Sequence, residues 1–125
     1  MTFWNGKKVF ITGPTGLIGG YLCKRLLELG ADITGFDLNG KGTLAWHGVY
    51  GSFPIVSGDI RNLPILQENI KDSEFVFHLA ANSGVESTRK DGMAAIDVNV
   101  RGTYTVLEAC RNAPNLLCCL VASSN

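Results

Sequence analysis

Short apolar runs alternate with segments of helical period along this chain. KKVFIT (residues 7–12) reads as a buried strand, after which Leu17, Ile18, Tyr21, Leu22, Leu26 and Leu29 recur at helical spacing until Gly30 stops the helix. ADITGFD (31–37) reads as a second strand, FPIVSGD (53–59) as a third, EFVFHLA (74–80) as a fourth and LLCCLVA (116–122) as a fifth. Asn62 and Pro64 suit the first turn of a short helix. Ile96, Val100, Tyr104, Leu107 and Arg111 form one stripe of a helix over 91–113 that ends near Pro114. Between the second and third strands, LNGKGTLAWHGVYGS (38–52) has no period and is expected to be a loop. Continuous apolar strands separated by helices imply an α/β fold, a parallel sheet covered by helices on both faces.

Length and composition narrow the picture. A chain of 125 residues is one domain at most, and 46% hydrophobic with 18% charged residues describes a globular core rather than a disordered chain. The formal net charge is zero and no aromatic-basic stripe is present, so nothing points to nucleic acid. No apolar run reaches the ~18 residues of a membrane span. MTFWNGKK at the start lacks the apolar region of a signal peptide, which suits the cytoplasm. Four cysteines without a C-x-x-C spacing are expected to be plain buried thiols rather than metal ligands. His47 has no partner at metal spacing, and no metal site is expected.

The candidate chemistry begins where the first strand gives way to the first helix. Gly13, Gly16 and Gly19 recur at intervals of three there. One allows a tight turn, one removes a side chain where a pyrophosphate would approach, and one lets the helix pack closely. Asp37 follows Gly19 by 18 residues at the end of the second strand, where a carboxylate can accept the ribose hydroxyls of an adenosine and repel a 2′-phosphate. That favours NAD over NADP. The plain alternatives are a tight turn without a ligand and a solvated aspartate.

TGPTGLIGG (12–20) departs from the plain dinucleotide fingerprint and resembles the T-G-x-x-G-x-x-G motif of the extended short-chain dehydrogenase/reductase family, the sugar-nucleotide epimerases and dehydratases. GDIR (58–61), VFHLAA (76–81), NVRGT (99–103) and ASSN (122–125) are similar to further motifs of that family, in order, across nearly the whole chain. The resemblance implies a Rossmann-like three-layer fold with strand order 3-2-1-4-5 and NAD as cofactor. It implies cofactor contacts at Gly13, Thr15, Gly16, Leu17, Ile18, Gly19, Asp37, Leu38 and Asn39. Further contacts are implied at Asp59 on the adenine amino group, at Ile60 beside the ring, and at Leu79, Ala80, Ala81 and Asn99. Other readings stand beside these. Asp59 can instead cap the helix near Asn62, and His78 reads as a core histidine with a satisfied ring nitrogen. Asn99 suits a hydrogen-bonded role near the site, Gly102 suggests a close backbone approach, and Trp46 is either a loop anchor or an exposed contact.

The resemblance also implies a reaction. In the family a hydride passes from a sugar carbon to NAD⁺ while a tyrosine, helped by a lysine four residues on, takes the hydroxyl proton. Ser124 is the implied catalytic hydroxyl that orients the sugar, and Thr88 the implied substrate contact. No Y-x-x-x-K pair occurs in the 125 residues: Tyr21, Tyr50 and Tyr104 are followed four residues later by Arg25, Pro54 and Glu108. The chain is therefore expected to be the dinucleotide-binding N-terminal piece (1–125) of a longer, homodimeric enzyme acting on a nucleotide-sugar. It lacks the sixth strand and the substrate portion, and by itself it should turn nothing over. A noncatalytic dinucleotide-binding or redox-sensing module is the rival. FWNGKKVFITG resembles the start of CDP-glucose 4,6-dehydratases, yet the position of the dehydratase acid is Asn125, which ranks epimerase above dehydratase.

Overall fold

The computed structural model of the chain describes residues 1–124. Five parallel strands form one sheet: β1 (Lys8–Thr12), β2 (Asp32–Asp37), β3 (Ile55–Ser57), β4 (Phe75–His78) and β5 (Cys118–Val121), in the order β3-β2-β1-β4-β5. The helices are α1 (Leu17–Glu28), α2 (Leu63–Ile70), α3 (Val85–Lys90), α4 (Gly92–Ile96) and α5 (Gly102–Arg111), with a π-helical turn at Asp97–Arg101 joining α4 to α5. β1 is central, with Val9 opposite Ile33 on one side and Phe75 on the other.

Alternation along β1 divides the core in two. Val9 and Ile11 face a cluster with Ile33, Cys23 and Leu26 of α1, and with Leu44 and Phe53 from the β2–β3 connection. Phe10 faces the other way, into Phe36, Leu66 and Ile70 of α2, Val76, and Val106 and Ala109 of α5. These two layers around the sheet are the three-layer arrangement that the apolar runs imply.

Several elements differ from the sequence pattern. β3 is shorter than 53–59 because Pro54 has no N–H to give a neighbour and β3 lies at the sheet edge. β4 stops at His78, after which the Leu79 amide is shared between the Thr12 carbonyl and hydroxyl and the Ala80 amide turns to the hydroxyl. α3 escapes the pattern because none of its side chains is buried, so it carries no apolar period. The stripe Ile96, Val100, Tyr104 and Leu107 is exposed, whereas Thr105, Val106, Ala109 and Cys110 form the buried face. Leu17, Ile18 and Tyr21 of α1 are exposed too. Cys23 and Cys110 are buried thiols as expected, but Cys118 is exposed on the outer strand. The 38–52 connection contains a 3₁₀ turn (Gly42–Leu44) anchored by fully buried Leu44, while Trp46 is exposed.

Asn62 caps α2: its Oδ1 accepts from the Ile65 amide and Pro64 occupies the first turn. Asn62→Ala should therefore cost about 0.5–2 kcal/mol, and Phe10→Ala, at the centre of the sheet, about 3–5 kcal/mol. Urea denaturation of the two variants against the parent chain checks both, and an unchanged midpoint for either would contradict the packing described.

Candidate functional site

A cleft of about 590 Å3 opens where the strands end, lined on one side by Gly13, Thr15, Gly16, Leu17, Ile18 and Gly19 and on the other by Leu79, Ala80, Ala81 and Ser83. Asp37 and Leu38 close one end with Gly58, Asp59, Ile60 and Arg61, and Ala122, Ser123 and Ser124 also border it. Its volume suits a small-molecule site. Asn39, Thr88 and Asn99 do not line it.

Each motif glycine has its own steric reason. Gly13 turns with φ +70° beside the Ala80 backbone, 2.8 Å from where a Cβ would reach the Ala80 nitrogen. A Cβ on Gly19 would collide with the Gly13 carbonyl, so this glycine packs α1 onto the turn itself rather than onto a strand. A Cβ on Gly16 would meet nothing nearer than the Gly13 carbonyl at 3.5 Å, and would project into open space beside the cleft. Gly16 is also the N-cap of α1, supplies no side-chain oxygen, and is followed by no acidic residue in the first turn. The leading amides of α1 are thereby left with a positive partial charge and room for an anion.

The Asp37 carboxylate is aimed rather than free. Its Oδ2 accepts from Thr15 Oγ1 at 2.7 Å and the Thr15 amide at 3.4 Å, and its Oδ1 from the Asn39 amide at 3.3 Å. Asn39 therefore orients the acid without facing the cleft. The fit of a dinucleotide follows from these features: an uncapped helix start beside a bare glycine for the diphosphate, and an oriented carboxylate for a ribose diol.

At the end of the cleft bordered by Gly58 and Ile60, the Asp59 carboxylate already has a partner within the chain. Arg61 takes both of its oxygens, with the backbone amide and Nε at 2.9 Å from Oδ1 and Nη2 at 2.6 Å from Oδ2. Arg61 Nη1 also donates to Asp97 Oδ2 at 2.6 Å, and these hydrogen bonds hold both carboxyls below the usual range. Nor does Asp59 cap α2 through its side chain. Gly102 lets its backbone come close to a neighbour, as its place in a helix suggests: a Cβ there would collide with the Ile60 side chain.

Behind the cleft lies a buried relay. Thr12 Oγ1 accepts the amides of Leu79 and Ala80, each at 3.1 Å, so its proton points to His78 Nδ1 at 2.7 Å. Nε2 then carries the ring proton and donates to Thr103 Oγ1 at 3.1 Å, which donates to the Asn99 carbonyl at 2.6 Å. His78 is a core histidine with both ring nitrogens engaged. Asn99 is exposed rather than buried in the helix, and its amide grips the Asn82 backbone, accepting from N at 2.7 Å and donating to O at 3.0 Å. Thr88 sits on α3, outside the cleft. Ser123 and Ser124 are exposed at its rim, and Asn125 lies outside the described residues. Sequence reasoning missed Thr12 and Arg61 as site residues, although Thr12 directly precedes the glycine motif and Arg61 stands within GDIR.

Burial holds His78 below its ordinary value of 6.5, and a second ring proton would face a Thr12 oxygen whose lone pairs already serve two amides. A histidine depressed in the folded state contributes stability above about pH 6.5, lost as pH falls toward the folded value by up to about 1.4 kcal/mol per pH unit. Asp59 and Asp97, also depressed, lose theirs only further into acid. Denaturation at pH 7.5, 6 and 5 should show a loss above pH 5 that His78→Gln removes, and a parent curve flat over that range would contradict the relay.

Among the described residues no helix is long and apolar enough to cross a membrane, and no group of three or more His, Cys, Asp or Glu is placed to hold a metal ion. The model of the NAD dependent epimerase/dehydratase family matches residues 9–125. A CDP-glucose 4,6-dehydratase of Salmonella typhimurium is 32% identical over 119 residues, covering 91% of this chain and 33% of the relative. A CDP-paratose 2-epimerase of Salmonella typhi is 34% identical over 125 residues, covering 94% and 36%. The chain thus spans about a third of the length of the curated relatives it matches. Among solved structures, an epimerase of Methanothermobacter thermautotrophicus superposes with a TM-score of 0.84 at 28% identity, covering 97% of this chain and 36% of the other. A UDP-glucose-4-epimerase of Stenotrophomonas maltophila, with bound NAD and formylated UDP-arabinopyranose, superposes at 0.83 with 25% identity, covering 94% and 37%.

Proposed function

The chain belongs to the NAD dependent epimerase/dehydratase family, and from that premise we propose that residues 1–125 are the NAD-holding part of a sugar-nucleotide epimerase or dehydratase. The observation that carries this reading is the Asp37 carboxylate, oriented by Thr15 at one end of the cleft that the uncapped start of α1 borders. The amides of Leu17 and Ile18 take the diphosphate, and Asp37 takes the ribose hydroxyls and disfavours a 2′-phosphate by like-charge repulsion. Ile60 flanks the adenine, while Leu79, Ala80 and Ala81 lie along the nicotinamide half with backbone rather than bulk. Bound NAD⁺ supplies a reversible hydride acceptor for a sugar carbon.

Ser124, at the rim of the same cleft, orients the sugar hydroxyl. No tyrosine with a lysine four residues on is present to take its proton, and Asn125 offers an amide where a dehydratase would need an acid. Epimerase is therefore ranked above dehydratase, and these 125 residues alone are inactive. The exposed apolar stripe of Ile96, Val100, Tyr104 and Leu107 supports pairing of two copies.

Titration calorimetry should find NAD⁺ bound more tightly than NADP⁺, with Asp37→Ala narrowing the gap by weakening NAD⁺ and relieving the repulsion. Tighter NADP⁺ binding to the parent chain would remove this assignment. Turnover is a separate check. The purified chain with NAD⁺ and a sugar nucleotide should show no epimerisation or dehydration, since loss of a positioned base alone costs about 10² to 10⁴ in rate. Robust turnover in a preparation of confirmed mass would overturn the division of labour.

A further inference from the structure

The β2–β3 connection, aperiodic in sequence, crosses the glycine-rich turn on the side away from the cleft. Thr43, 7% exposed, donates its hydroxyl to the Gly16 carbonyl at 2.6 Å, and its own amide donates to the Thr15 carbonyl at 3.1 Å. Two glycines make room for this contact. A Cβ on Gly42, which has φ +42°, would collide with the Thr15 carbonyl, and a Cβ on Gly20 would collide with Thr43 Oγ1. Leu44, fully buried among the side chains of β1, β2 and α1, holds the segment down.

We propose that Thr43 is a positioning residue for cofactor binding, acting through the Gly16–Leu17 peptide. This rests on the reading of the cleft as a dinucleotide site. No peptide bond among the described residues is cis, and in a trans peptide the C=O and the following N–H point in opposite directions. The Gly16 carbonyl is pinned on the far side by Thr43 and by the Gly20 amide at 3.0 Å. The Leu17 N–H is therefore turned toward the cleft that Gly16 and Leu17 line, where the diphosphate would lie. The Thr15 carbonyl, by contrast, is held by the Thr43 backbone amide at 3.1 Å, a bond that a change of side chain leaves in place, so the ribose end is not the part the hydroxyl governs. Thr43 does not itself line the cleft, so any effect of its hydroxyl on affinity passes through the Gly16–Leu17 peptide.

Thr43→Val removes the hydroxyl at nearly constant volume, and Thr43→Ser restores it. With NAD⁺ the valine variant should lose affinity by about 2- to 12-fold, the range of one hydrogen bond, while adenosine, which lacks phosphate, should bind both proteins alike by NMR titration. The serine variant should keep the parent affinity for NAD⁺. Valine binding NAD⁺ as tightly as the parent, or losing NAD⁺ and adenosine in equal proportion, would overturn the proposal. Should the valine variant not fold, the parent chain decides through its ¹⁵N–¹H spectrum. The Leu17 amide must shift on adding NAD⁺, and a Leu17 resonance that stays put while those near Asp37 move would also overturn it. A parent chain that binds no NAD⁺ at all removes the dinucleotide reading and this inference together.

Discussion

One buried hydroxyl, Thr12 Oγ1, organises the junction on which the cleft depends. β1 and β4 end side by side, and where the chain leaves β4 the Leu79 amide reaches back to the Thr12 carbonyl and hydroxyl of β1 while the Ala80 amide turns to the hydroxyl. In a dry interior those amides need acceptors. Thr12 supplies one oxygen to both and sends its proton to His78, so the Leu79–Ala80 wall is set by a side chain at the start of the glycine motif. Through His78 and Thr103 the same hydrogen-bond series reaches the first turn of α5. Motifs far apart in the chain thus share a single polar network, with no buried side-chain donor or acceptor left unpaired among the described residues.

The π-helical turn at Asp97–Arg101 adds a second tie between the halves of the site. Asp97 receives Arg61 from the Asp59 end of the cleft, while Asn99 grips the backbone of Asn82 beyond β4. Insertions of this kind in helices are frequent at functional sites. Here the widened turn contributes to both ends, and Gly102 just after it lets α5 approach Ile60 without a clash. Arg61 satisfies Asp59 within the chain, bonding both of its carboxylate oxygens.

The outer surfaces carry exposed apolar side chains that the core does not. Among the described residues β5 pairs with β4 alone, and Leu117, Cys118 and Leu120 are exposed. The stripe of α4 and α5 from Met93 to Leu107 is exposed as well. Both are apolar faces on a chain that spans about a third of the length of its curated relatives. Around the central strand β1, by contrast, side chains close both faces of the sheet.

The sequence by itself determined the α/β alternation, the five strands with their order through the family resemblance, and the glycine turn followed by Asp37. Periodicity, turn residues and motif spacing are local, so they survive reading without coordinates. Tertiary structure alone decided which face of the 91–113 helix is buried, because an apolar stripe looks the same whether it packs inward or stays open. It also decided that Asp59 is engaged by Arg61, that Thr12 and His78 hold the β4 exit, and that Thr43 backs the glycine turn. Those roles depend on hydrogen bonds between residues distant in sequence, such as Thr43 with Gly16 and Thr12 with His78, and folding alone brings such partners within reach.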